Sequence, residues 1–150
     1  MIARRTTRRE FVAALAALAA SGRLGATPEA VDEAMRKITG GAQPRPGRVK
    51  LEVPPLIENG NSVVLSVHVE SPMTEADHVK AIHVFAPKNP LPNMISVYLT
   101  PRAGRAQFTT RVRVADTQTL MAMAQMSDGS LWLDRVDVVV TLAACTEEVK

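Results

Sequence analysis

From residue 49 onward, apolar and polar positions alternate along the chain with a period of two. Val49, Leu51 and Val53 alternate with Lys50 and Glu52, and Pro54-Pro55 ends the run. Asn59-Gly60-Asn61 is a turn signal. In 62–70, Val63, Leu65, Val67 and Val69 fall on one face and Ser66, His68 and Glu70 on the other. Residues 79–86 and 94–100 read as two more strands around the proline-rich stretch 87–93, and Pro101-Arg102-Ala103-Gly104 turns the chain again. Residues 106–114 alternate through Phe108, Thr110, Val112 and Val114. The last two runs, 119–127 and 130–142, flank Asp128-Gly129, the strongest hairpin signal in the chain. Leu120-Met121-Ala122-Met123-Ala124 would suit a helix on propensity alone, but the hairpin signal behind it favours a strand. About seven strands, with turn signals every 8–12 residues and no helical crossovers, predict an all-β, immunoglobulin-like sandwich. They speak against a parallel α/β sheet.

Ahead of this region the period lengthens. Thr27-Pro28-Glu29 offers an N-cap, a proline at the first helical position and an acid in the first turn. Ala30, Val31, Ala34, Met35 and Ile38 then form a helical stripe, and Gly40-Gly41 stops it. The result is a short N-terminal helix of about three turns, expected on the domain edge or on a partner. Pro44-Arg45-Pro46-Gly47 reads as a linker. Aromatic residues are 3% of the chain, so the core must be built from aliphatic side chains and methionine. No repeat of solenoid length is present.

Composition becomes informative when the first 26 residues are set apart. Arg4, Arg5, Arg8 and Arg9 precede the Ala- and Leu-rich stretch 11–20. This basic-then-apolar order is that of an export signal, too short for a bilayer-spanning helix. Arg8-Arg9-Glu10-Phe11 points to the twin-arginine route, and so to the periplasm. The competing reading is an amphipathic helix on a cytoplasmic protein. The whole chain carries +3, but residues 1–26 hold five arginines and one acid. Thirteen basic and fourteen acidic residues remain, a net of −1. The high isoelectric point therefore belongs to the signal, and no basic stripe is left to suggest nucleic acid. Nothing beyond residue 26 is apolar for long enough to anchor the chain in a membrane.

Cys145 is the single cysteine, five residues from the end of the sequence. A leftover thiol in an oxidising compartment suggests a reactive group or an intermolecular bond. Packing as a small hydrophobe is the open alternative. Ala143-Ala144 leave room around the sulfur, and a chain end there reaches several residues beyond the sandwich at roughly 3.3 Å each. Glu147 and Glu148 disfavour a thiolate, so a partner must activate it. His68, His78 and His83 lack metal-ligand spacing and read as surface or packing residues. Met73, Met94, Met121, Met123 and Met126 read as core filler, and Glu75 and Asp77 as loop residues. Neither a catalytic group, a metal nor a cofactor is expected.

Five phrases then occur in order: 57–61 (Ile-Glu-Asn-Gly-Asn), 71–77 (Ser-Pro-Met-Thr-Glu-Ala-Asp), 85–92 (Phe-Ala-Pro-Lys-Asn-Pro-Leu-Pro), 100–106 (Thr-Pro-Arg-Ala-Gly-Arg-Ala) and 126–132 (Met-Ser-Asp-Gly-Ser-Leu-Trp). With them the chain resembles the SoxY family, the sulfur-carrier subunits of bacterial thiosulfate oxidation. The resemblance covers the signal, the helix and the β-domain. It implies an immunoglobulin-like fold, a SoxZ-like β-sandwich partner in a heterodimer, and export by the twin-arginine route. It also implies that Cys145 carries the substrate covalently. A haem-containing c-type cytochrome would couple thiosulfate to the thiol, and a hydrolase would release sulfate. Residues 1–26 are then the signal (Arg8, Arg9 and Phe11 within it), 27–43 the helix and linker, 44–142 the SoxY-type domain and 143–150 the cysteine-bearing arm. The family's arm is Gly-Gly-Cys-Gly-Gly; here Ala143-Ala144 precede the cysteine and Thr146-Glu147 follow it. Alanine and threonine restrict an arm that glycine would leave free. Two other readings stay open: a periplasmic scaffold that keeps the partner but not the chemistry, and a disulfide-linked dimer.

Overall fold

A computed structural model describes residues 28–144. One helix, α1 (Pro28–Thr39), leads into nine strands: β1 (Arg45–Pro46), β2 (Val49–Glu52), β3 (Leu56–Ile57), β4 (Val63–Val69), β5 (Val79–Phe85), β6 (Asn93–Tyr98), β7 (Ala106–Val112), β8 (Gln118–Met126) and β9 (Leu131–Val140). A 3-10 turn, Pro101–Ala103, joins β6 to β7. The seven longer strands are those the alternation predicts, with ends shifted by one or two residues.

They divide four against three. The larger sheet runs β9-β8-β5-β6, the smaller β2-β4-β7, and neighbouring long strands are antiparallel. This is the division of an immunoglobulin-like sandwich. The two-residue strands β1 and β3 add to the outer edge of β9, both parallel to it. Neither is legible in the sequence, because two residues carry no period. Pro46 belongs on such an edge, where a missing N–H breaks no ladder.

The core lies between the sheets. Val63, Leu65, Val67 and Val69 of β4 face Val84, Leu120, Ala122, Ala124 and Val138 of the larger sheet. Each buried Val or Leu stabilises the fold by about 1.5–3 kcal/mol relative to exposure. The helix packs on a sheet face and not at the domain edge. Val31 meets Phe85, Met123 and Leu133 on the outer face of the larger sheet, with Ala34, Met35 and Ile38 around them. This explains β8: covered by β-sheet on one face and by helix on the other, it buries Leu120, Ala122, Met123 and Ala124, and its alternation breaks at Met123. Tertiary burial overrides helix propensity there.

His83, on β5, is 2% exposed; its Nδ1 lies 2.8 Å from Ser96 Oγ and its ring meets Tyr98 edge-on. Desolvation lowers its pKa, so it packs as a neutral ring. Among the described residues no helix is long and apolar enough to cross a membrane.

Candidate functional site: the root of the cysteine arm

β9 ends at Val140, and three backbone segments meet where the chain leaves it. Val139 N–H donates to Pro55 O and Thr141 N–H to Ile57 O, both at 2.9 Å. Thr141 Oγ1 donates to Glu58 O at 3.0 Å. Gly60 is the centre of the junction. Its N–H donates to Leu142 O and its carbonyl accepts from Val114 N–H, each at 2.8 Å. Ala144 N–H then donates to Val114 O at 3.2 Å. A Cβ on Gly60 would stand 2.3 Å from Val114 O and 2.9 Å from Ala144 N. Glycine is required here for close backbone approach rather than for a positive φ. Asn59 shapes the loop by accepting from Asn61 N–H at 2.9 Å, an Asx turn.

Asn89 clips the same junction from behind. Its Nδ2 donates to Arg113 O at 2.8 Å and its Oδ1 accepts from Ala115 N–H at 2.9 Å. Gln118 Nε2 donates to Asn89 Oδ1, while Gln118 Oε1 accepts from Lys88 N–H. Asn89 and Gln118 are both buried, so every one of these bonds replaces a lost water contact. Lys88 Nζ also pairs with Asp116 at 3.2 Å and holds that carboxyl below the usual range.

Of the residues singled out in the sequence, Ala143 and Ala144 belong to this junction. Cys145 and Thr146 lie outside the described residues, as do Arg8, Arg9 and Phe11. The sequence reading starts a stiffened cysteine-bearing arm at Ala143. The structure instead keeps the chain pinned through Ala144, which is 1% exposed. Sequence reasoning missed Asn89 and Val114. The phrases 57–61 and 85–92 were the available signal, since both converge on the arm root.

The cysteine next to this root is where family evidence bears. The profile of sulfur oxidation protein SoxY matches residues 35–145, more than two thirds of the sequence. The chain belongs to the SoxY family. Its match to the family ends on the cysteine itself. The sulfur carrier protein SoxY from Chlorobium limicola f thiosulfatophilum has the same fold, with a TM-score of 0.63 at 25% identity. That likeness covers 73% of this chain and 90% of the Chlorobium protein. SoxY membership supports a sulfur-carrier role in sulfur oxidation. A superoxide reductase (neelaredoxin) from Ignicoccus hospitalis shares the fold at a TM-score of 0.56 and 21% identity, over 81% of this chain and 98% of that one. A putative superoxide reductase from Thermotoga maritima does so at 0.51 and 20%, over 61% and 84%. These two likenesses are of fold alone. Among the described residues, no three His, Cys, Asp or Glu side chains gather as a metal site requires. No curated protein sequence matches the chain.

Proposed function

We propose that this SoxY-family chain is a periplasmic covalent carrier, not an enzyme, with Cys145 as the attachment point for thiosulfate-derived sulfur. The observation that carries this is the family match running through residue 145. The arm root adds to it, since Ala144 is fixed one peptide unit, about 3.8 Å between Cα atoms, before the thiol. In loading, the cysteine sulfur bonds to the outer sulfur of thiosulfate. The thiol proton is released and two electrons pass to a haem-containing cytochrome partner. Water then attacks the sulfonate sulfur in the hydrolase partner, the S–S bond to it breaks, sulfate leaves and a persulfide remains on Cys145.

The reading includes export on Arg8-Arg9-Phe11 and a heterodimer with a SoxZ-like sandwich. Exposed Leu56, Val139 and Leu142 at the arm end support a protein partner, because Leu56 and Val139 are register neighbours in an unshielded apolar patch.

Mass spectrometry of the protein from thiosulfate-grown cells should find the Cys145 peptide bearing thiosulfonate or extra sulfur. A Cys145→Ser strain should lose thiosulfate oxidation. An unmodified thiol during turnover, with normal oxidation by the Ser strain, would overturn the carrier reading in favour of a scaffold.

A further inference from the structure

On one side of the sandwich the two sheets end unequally. β2 packs against β9 and β8, and its Leu51 N–H donates to Asp134 Oδ2 across the sheets at 2.8 Å. Counted from there, the smaller sheet stops at β7, while the larger continues to β6. β6 therefore overhangs, and a cleft of about 360 Å³ opens between the two edges, lined by Leu91, Met94, Ile95 and 111–113. Met94, Ile95 and Leu99 along β6 and Phe108 on β7 pack on the core yet stay half-buried, whereas Leu65 and Val67 on β4 are enclosed. β6 and β7 each end a sheet, so each offers a free row of backbone N–H and C=O groups. Asn89 already uses the far end of one row: its amide takes Arg113 O and Ala115 N–H, as a neighbouring strand would. The charge of this side has one sign. Residues 78–115, which include β5, β6 and β7, hold six lysines and arginines and no acid. Outward positions of β7 are exposed and alternate with inward ones, and Arg111 and Arg113 are on the outward face. Arg111 Nη1 donates to Ser62 Oγ at 3.2 Å, and neither guanidinium has a carboxylate partner among the described residues.

We propose that the free edge of β7 takes up an extended segment of a partner protein as a fourth strand, in which acidic and apolar residues alternate. Added at the usual spacing of about 4.8 Å, such a strand covers the overhang of β6. Its apolar side chains turn inward onto Met94 and Ile95, and its acids outward beside Arg111 and Arg113. The two arginines are two residues apart, roughly 6.7 Å along a strand, which is also the repeat of alternate side chains in the incoming one. Opposite charges at facing strand positions attract and like charges repel, so a basic segment is refused. This surface is separate from the Leu56 and Val139 patch, because β6 and β9 lie toward opposite edges of the larger sheet. It holds whether or not Cys145 carries sulfur.

The test uses two dye-labelled octapeptide amides, one alternating glutamate and valine, the other lysine and valine. With the full chain at low salt, the glutamate peptide should bind about tenfold or more tightly than the lysine peptide. It should also slow hydrogen exchange at the β7 amides that do not pair with β4. Arg111→Glu/Arg113→Glu should reverse the preference, and molar salt should largely remove it. Arg111→Gln/Arg113→Gln, which loses the charge but stays polar, should lower the preference about fivefold. That variant decides the matter if the urea midpoint shows the reversed pair to be unfolded. Equal binding of the two peptides, binding of neither at millimolar concentration, or binding without slowed exchange on β7 overturns the proposal. So does a homodimer in sedimentation whose β7 amides are already protected, because a second copy then fills the edge.

Discussion

At the hairpin end of the sandwich, Gly129 N–H donates to Met126 O and Met126 N–H to Ser130 O, so the turn closes within five residues. At the arm end, Gly60 reaches Leu142 and Ala144 reaches Val114, joining segments far apart in the chain. The hairpin end has other local devices. Asp77 N–H donates to Thr74 Oγ1 and Thr74 N–H to Asp77 O, closing the 74–77 turn on itself. Long-range ties reach that end too: Ser127 N–H donates to His78 O, His78 N–H to Ser127 Oγ and Ser127 Oγ to Ala76 O. Arg45 and Arg48 stack on the Trp132 ring at 4.7 and 5.3 Å. Local closure costs little chain entropy, whereas the arm root must await several long-range pairings. The arm root is thus held by long-range pairings alone, whereas the opposite end combines them with turns that close locally.

Substitutions can break this contrast, and the largest effect is expected at Asn89. Asn89→Ala takes away the partner of Arg113 O and Ala115 N–H in two part-buried hydrogen bonds. It should lower stability by about 3 kcal/mol in urea denaturation. Gly60→Ala comes next, at about 2 kcal/mol, because its Cβ meets carbonyl oxygen and backbone nitrogen that cannot swing aside. It should also speed hydrogen exchange at the Ala144 amide by about tenfold or more, since the acceptor Val114 O is displaced. Gly129→Ala is the smallest, at about 1 kcal/mol, for placing a Cβ at φ 84 with nothing nearby to strike. It should leave Ala144 exchange unchanged. A hairpin substitution that cost more than Gly60→Ala, or that loosened Ala144, would erase the distinction between the ends.

The same contrast explains what could be read from the sequence. The seven long strands were legible because half-buried strands print a period of two, as in Val63, Leu65, Val67 and Val69. The hairpin was legible because Asp128-Gly129 is a local signal. Structurally it is of the three-residue class, closed by a glycine at positive φ, and not the tightest two-residue form. The position of the helix was not legible. Its stripe of Val31, Ala34, Met35 and Ile38 shows that a face is buried but not which surface buries it. The arm root was legible only as family phrases. Nothing local in Asn59-Gly60-Asn61 says that its glycine touches residues 114 and 144. The sequence reading, confined to neighbours, found only acids beside the thiol.

β9 links the two ends and carries a practical consequence. Trp132 stands next to its first residue and Val140 is its last, eight steps apart, or roughly 27 Å at strand rise. Trp132 is the sole tryptophan of the sequence and Cys145 the sole cysteine. A dye attached to that cysteine would take excitation energy from an indole on the far side of the same strand, with no residue changed. The unaltered chain thus contains an optical ruler, and the arrival of a partner over the arm can be followed in real time as a change in tryptophan emission.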